Sequence, residues 1–155
     1  LEQEWVGSAK MVSLFAGARL LGAGLAAAYA IQTLSAILVA AALWHLARSR
    51  PAPLGFGVAM VAATPLVSPF LLDYDLTLLA VPLAWLLSEG TRTGFRPWEQ
   101  TVMAAAFLLP LLARSVAMTL SVHLAPAVAV ALFAIVWRRV GFPSGARDAE
   151  PAGAA

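Results

Sequence analysis

Residues 25–46 read LAAAYAIQTLSAILVAAALWHL, an apolar run bounded by Gly24 on one side and by Arg48 and Arg50 on the other. It exceeds the ~20 residues that a helix needs to cross the hydrocarbon of a bilayer. Gln32, Thr33 and Ser35 are its polar members, and they read as groups that face other helices. Trp44 and His45 mark one membrane boundary, and Pro51 and Pro53 make the turn that follows.

Four further apolar runs come after it, separated by short polar or proline-containing turns. The run from residue 54 to 72 contains Pro65 and Pro69 and leads into Asp73-Tyr74-Asp75. The next ends at Ser88-Glu89-Gly90, ahead of Arg92 and Arg96. Trp98 and Glu99 open the fourth, which contains Pro110 and stops at Arg114. The fifth starts near His123 and ends at Trp137-Arg138-Arg139. Before the first run, Met11, Leu14, Phe15, Ala18 and Leu21 recur at helical spacing while Lys10, Ser13 and Gly17 fall off that face. This pattern reads as a short amphipathic helix in the interface, ended by Gly22 and Gly24. The residues after Gly141 are small and polar and read as a disordered tail.

Composition agrees with this pattern. The chain is 61% hydrophobic and 12% charged, with a mean hydropathy of +0.84. Soluble domains hold about 45–50% apolar and about 25% charged residues. A soluble core of 155 residues has no room for that excess, since small domains keep much of their surface wet. The expected fold class is therefore all-α: a polytopic transmembrane bundle of about five membrane helices plus the interfacial one. The expected organisation is an outward-facing segment over 1–24, a helical domain over 25–140 and the tail over 141–155. The membrane helices fall near 25–46, 54–72, 74–88, 99–113 and 122–138.

Charge supplies an orientation. Arg48, Arg50, Arg92, Arg96, Arg138, Arg139 and Arg147 fall at alternate ends of these runs, against Lys10, Arg19 and Arg114 at the others. The positive-inside rule places the arginine-rich loops and the C-terminus in the cytoplasm of a bacterial inner membrane. Spread between apolar runs, these basic residues do not form the stripe of a nucleic-acid binder. With no cysteine there is no disulfide, thiolate metal site or cysteine nucleophile. No phosphate-binding glycine loop, dinucleotide fingerprint or zinc-helix motif is present, and no cofactor or metal is expected. The chain begins at Leu1 without the basic start and apolar run of a signal peptide, and reads as a piece of a longer protein.

The outward polar groups form three clusters: Lys10 with Arg19; Asp73, Tyr74 and Asp75; and Arg114 with His123. Ionisable groups at a membrane boundary are functional candidates by default. Each also has a plainer reading. The two aspartates can cap the third helix, Arg114 can snorkel to the interface, and His123 can simply start a helix. Lys10 and Arg19 can hold the interfacial helix against lipid phosphates. In the functional reading, Arg114 supplies a guanidinium fork to a phosphate, and the aspartates bind an acceptor hydroxyl, a sugar or a cation.

Trp5 followed by Lys10-Met11-Val12-Ser13-Leu14-Phe15, then Arg19-Leu20-Leu21-Gly22, resembles the end of the large outward loop in the membrane glycosyltransferases of family 87, the DUF2029 group. Ala63-Thr64-Pro65-Leu66-Val67-Ser68-Pro69-Phe70-Leu71-Leu72-Asp73-Tyr74-Asp75-Leu76 looks like the same family's outward turn, with aspartates where its actinobacterial mannosyltransferases carry histidines. Gly94-Phe95-Arg96-Pro97-Trp98-Glu99 and Leu108-Leu109-Pro110-Leu111-Leu112-Ala113-Arg114 resemble its proteobacterial branch. The resemblance implies the C-terminal part of a GT-C fold. It implies transfer of a hexose, often mannose, from a polyprenyl-phosphate-linked sugar donor to a lipid or glycan acceptor outside the cytoplasmic membrane. The family's expected base, an aspartate in the first outward loop, has no counterpart in these residues. A small-solute or lipid transporter and a non-catalytic membrane scaffold are the rival classes. A transporter would place its polar groups near mid-membrane, whereas here they gather at one face.

Overall fold

The computed structural model describes the backbone of residues 13–69, 73–120 and 124–142, and their side chains except those of Leu20, Asp73, Tyr74 and 111–120. Among these residues every element is helical: α1 (Leu14–Leu20), α2 (Leu25–Arg48), α3 (Pro53–Val67), a 3-10 helix (Asp73–Leu79), α4 (Ala80–Thr93), α5 (Glu99–Leu120) and α6 (Ala125–Gly141). The protein is all-α, and one described helix, α2, is long and apolar enough to cross a membrane. At 1.5 Å per residue its 24 residues extend about 36 Å. α3 is apolar but shorter.

Glycine and serine set the first boundaries. Ser13 caps α1, its Oγ accepting the Ala16 N–H at 3.2 Å. Gly22, at φ +86°, closes α1: the Ala23 N–H donates to Ala18 O and the Gly22 N–H to Arg19 O, the two bonds of a Schellman end. Gly24 then starts α2.

α3 is the centre of the bundle and packs against α2, α4, α6 and the 3-10 helix. Gly55, Ala59 and Ala63 are buried at a spacing of four, a stripe of small residues that lets neighbouring backbones approach closely. A Cβ on Gly55 would stand 3.3 Å from a methyl of Val140 in α6. α6 contributes Ala129, Leu132 and Val136 to the same core.

Several boundaries differ from the sequence expectation, each for a local reason. α3 stops at Val67, not residue 72, because Pro69 has no N–H to give the Pro65 carbonyl. The third run opens as a 3-10 helix. At three residues per turn this lines up Leu76 and Leu79, both buried, with Pro82 beyond them. α5 continues through Arg114 to Leu120, so Arg114 lies inside a helix and not in the turn expected for it.

Candidate functional site

The antiparallel helices give the bundle two unlike ends. One gathers the C-termini of α2, α4 and α6 with the N-termini of α3 and α5. It holds Arg48, Arg50, Arg92, Arg96, Arg138 and Arg139 and is called the arginine end. The opposite end carries α1, the end of α3 and the 3-10 helix.

At the opposite end a neutral network closes α3. The terminal carbonyls of a helix have no partner within it. Gln32 Nε2 donates to the carbonyls of Leu66 and Val67, both at 3.0 Å, and Ser35 Oγ donates to Leu66 O at 2.9 Å. Gln32 Oε1 accepts the Phe15 N–H at 3.2 Å, and Ser13 Oγ donates to Pro69 O at 2.6 Å. The polar residues of the long apolar run thus tie α1 and α2 to the end of α3. Phe15 also packs against Tyr29, with ring centroids 4.7 Å apart and the rings tilted by 47°.

Beside this network lies an apolar groove of about 560 Å³. Gly17, Ala18 and Leu21 form one wall, Pro126 and Val130 of α6 the other, and Ile31 of α2 the base. The glycine and alanine of α1 leave this space open. Arg19 projects from the same short helix, exposed, with Nη1 donating to Ala23 O at 3.1 Å.

The expected site residues are distributed as follows. Arg19 is exposed on α1 and is not among the residues that line the groove. Asp75 is half-buried in the 3-10 helix. Asp73 and Tyr74 belong to that same helix and Arg114 to α5, but their side chains lie outside the described residues, as do Lys10 and His123 entirely. Among the described residues no three acidic or histidine side chains group as metal ligands.

At the arginine end is a cluster that sequence reasoning missed. Arg139 is 5% exposed and Glu99 2%. The guanidinium forks onto the carboxylate, Nε to Oε1 at 2.8 Å and Nη2 to Oε2 at 2.7 Å. Its Nη1 donates to Thr93 Oγ1 at 3.0 Å and its Nη2 to Gly94 O at 2.7 Å. Glu99 Oε2 also accepts the Arg96 backbone N–H at 2.8 Å. Arg96 reaches the last turn of α6, donating to the carbonyls of Arg138 and Phe142, where a cation suits the helix C-terminus. One fork therefore joins α4, α5 and α6.

The pair sits at the arginine end, with Glu99 the first residue of α5 and Arg139 in the last turn of α6. Burial alone raises the Glu99 carboxyl, but the hydrogen bonds from Arg139 and the Arg96 N–H, with the charges of both arginines, outweigh it and hold it below its usual value. Arg139 is raised by its hydrogen bond to Glu99 against the opposing effect of burial. A signal for the pair exists in the sequence. Leu132, Val136 and Arg139 follow at spacings of four and three, which puts Arg139 on the buried face of α6.

Set against known proteins, the chain matches no family model, no curated protein and no solved structure.

Proposed function

We propose that the chain is part of a polytopic membrane glycosyltransferase that takes its hexose, mannose by the family resemblance, from a polyprenyl-phosphate donor. The observation that supports this reading is the apolar groove between α1 and α6. A polyprenyl chain is apolar along its length, so it needs a greasy channel to hold it. On this reading the arginine end faces the cytoplasm, and α3 to α6 share the bilayer with α2. The groove then opens toward the outer leaflet, where the acceptor lipid or glycan also lies.

The chemistry assigned to these residues is modest. Arg114, with Lys10 or Arg19, neutralises the leaving phosphate as charge develops on it. Asp73, Tyr74 and Asp75 orient sugar or acceptor hydroxyls. The proposal assigns no catalytic base among these residues. The test is photolabelling in vesicles with a polyprenyl phosphate carrying a photoreactive group. Label is expected on α1 and the start of α6, and Gly17→Trp or Ala127→Trp, which fill the groove, should reduce it severalfold. Label spread evenly over the lipid-facing side of α2 would overturn the reading. In a hexose-transfer assay, Arg114→Ala is expected to lower turnover at unchanged protein abundance.

A further inference from the structure

The chain passes from α4 to α5 through residues 94–98, and the last step is a tight turn. The Glu99 N–H donates to Arg96 O at 3.2 Å, with Pro97 and Trp98 as the central residues. Proline fixes a negative φ at the first central position, and Trp98 stands at φ +70° in the second. This is the pattern of a type II turn, whose second central position takes glycine or asparagine because a Cβ is penalised there. Trp98 fills it with the largest of the side chains, at a cost in backbone strain.

That strain is not repaid inside the chain, because Trp98 is 76% exposed. The turn that carries it is held from within. Glu99 Oε2 accepts the Arg96 N–H, Arg139 grips Glu99 and donates to Gly94 O, and the Phe95 ring packs against Gly90. The mount is fixed, and the indole projects from it. Two more aromatic rings stand exposed at the same end on other helices. Trp44 lies one turn before the end of α2, with the Arg48 guanidinium 5.3 Å from its ring, and Phe142 lies just past α6. Rings on three separate helix ends suit a surface that meets the whole end of the bundle, not a partner seated on one patch. An indole has an apolar body and one N–H donor, and it settles where hydrocarbon gives way to lipid headgroups. α2 is long and apolar enough to cross a membrane, and its Trp44 marks the end at which that boundary falls.

We propose that the turn between α4 and α5 is a membrane-surface anchor, with Trp98 held in a strained conformation so that its indole enters the headgroup boundary on the arginine side. The anchor fixes the depth at which α5 starts. The proposal rests on the membrane reading but not on glycosyl transfer.

The test places the full chain in phosphatidylcholine vesicles and reads tryptophan fluorescence. The difference between the wild-type chain and Trp98→Phe isolates the emission of Trp98. Phosphatidylcholine brominated near the headgroup end of its acyl chains should quench that emission severalfold more strongly than lipid brominated near the chain ends, and acrylamide in the water should quench it weakly. Strong quenching by acrylamide with none by brominated lipid puts the indole in water and overturns the proposal. Shielding from both quenchers means that protein covers the indole, and overturns it equally. If brominated lipid quenches no tryptophan of the chain, the membrane reading fails and the proposal with it. Quenching of the others but not of Trp98 defeats the proposal alone. Trp98→Gly tests the strain. Glycine removes the left-handed penalty, and an indole this exposed gives up little contact within the chain, so the thermal midpoint in detergent should rise by about 2–4 °C. A fall of that size would show that the indole packs on the chain itself, and the proposal would fail.

Discussion

The two ends of the bundle solve the same problem with different chemistry. Each must satisfy polar groups where helices stop next to an apolar core. The end near α1 does so with neutral groups: one amide and two hydroxyls cover the carbonyls that α3 and Pro69 leave open. The arginine end uses a buried ion pair with auxiliary hydrogen bonds. A neutral network loses one hydrogen bond at a time. A buried charge pair is nearly indifferent to being present or replaced whole, but is intolerant of being halved.

The sharpest way to break the contrast is Arg139→Ala. It strands Glu99 among buried groups and should cost about 3–5 kcal/mol, measured as unfolding free energy in detergent. The paired change Glu99→Leu with Arg139→Leu should recover most of that loss. If the double variant is as unstable as the single one, the fork is not acting as a unit. At the neutral end, Gln32→Leu leaves the Val67 carbonyl and the Phe15 N–H without this partner and should cost about 1–3 kcal/mol. A cost equal to that of Arg139→Ala would erase the difference between the ends.

Gly90→Ala probes the packing behind the fork. The added Cβ would overlap the Phe95 ring, so the ring must move, at about 1–3 kcal/mol. The loss should exceed that of Gly57→Ala, where nothing lies within 4 Å. The smallest expected effect is a response to pH. Glu99 is held below its ordinary value, so its contribution is complete above the usual carboxylate pKa of about 4 and is lost as pH falls through the lowered one. Arg139 is raised, so its share is complete at any pH below arginine's ordinary value and does not change in this window. The thermal midpoint should hold steady from neutral pH down to about 4 and fall below that. Glu99→Gln should flatten that fall.

These differences also explain what the sequence made legible. α2 was plain from length alone, and Gly24 and Arg48 bound it as expected. Glu99 opens α5 as read, because an acidic residue suits a first turn, whereas Pro53, read as part of the turn, is the first residue of α3, a position that suits proline. Of the three polar residues read as facing other helices, Gln32 and Ser35 do so, since a polar side chain on an apolar helix needs a partner, while Thr33 is exposed. The partners themselves, carbonyls some 31 to 35 residues away, carry no side-chain signature. The Glu99–Arg139 fork was missed for a related reason. Positive residues next to apolar runs were counted as topology signals, and that count does not distinguish Arg138 from the neighbour that turns inward. The groove was not legible: Gly17, which lines it together with Ala18 and Leu21, was read as lying off the apolar face that holds those two.

The fork also sets an order of events during synthesis. Its two halves are 40 residues apart in the chain. At about 5–20 residues per second, Glu99 leaves the ribosome some 2–8 seconds before Arg139 does. During that interval the carboxylate has no guanidinium to receive it, so it must stay wet or take up a proton. With its carboxylate ionised, the start of α5 stays open to water until α6 arrives, and a nascent chain stalled inside α6 would leave this end of the bundle without its fork.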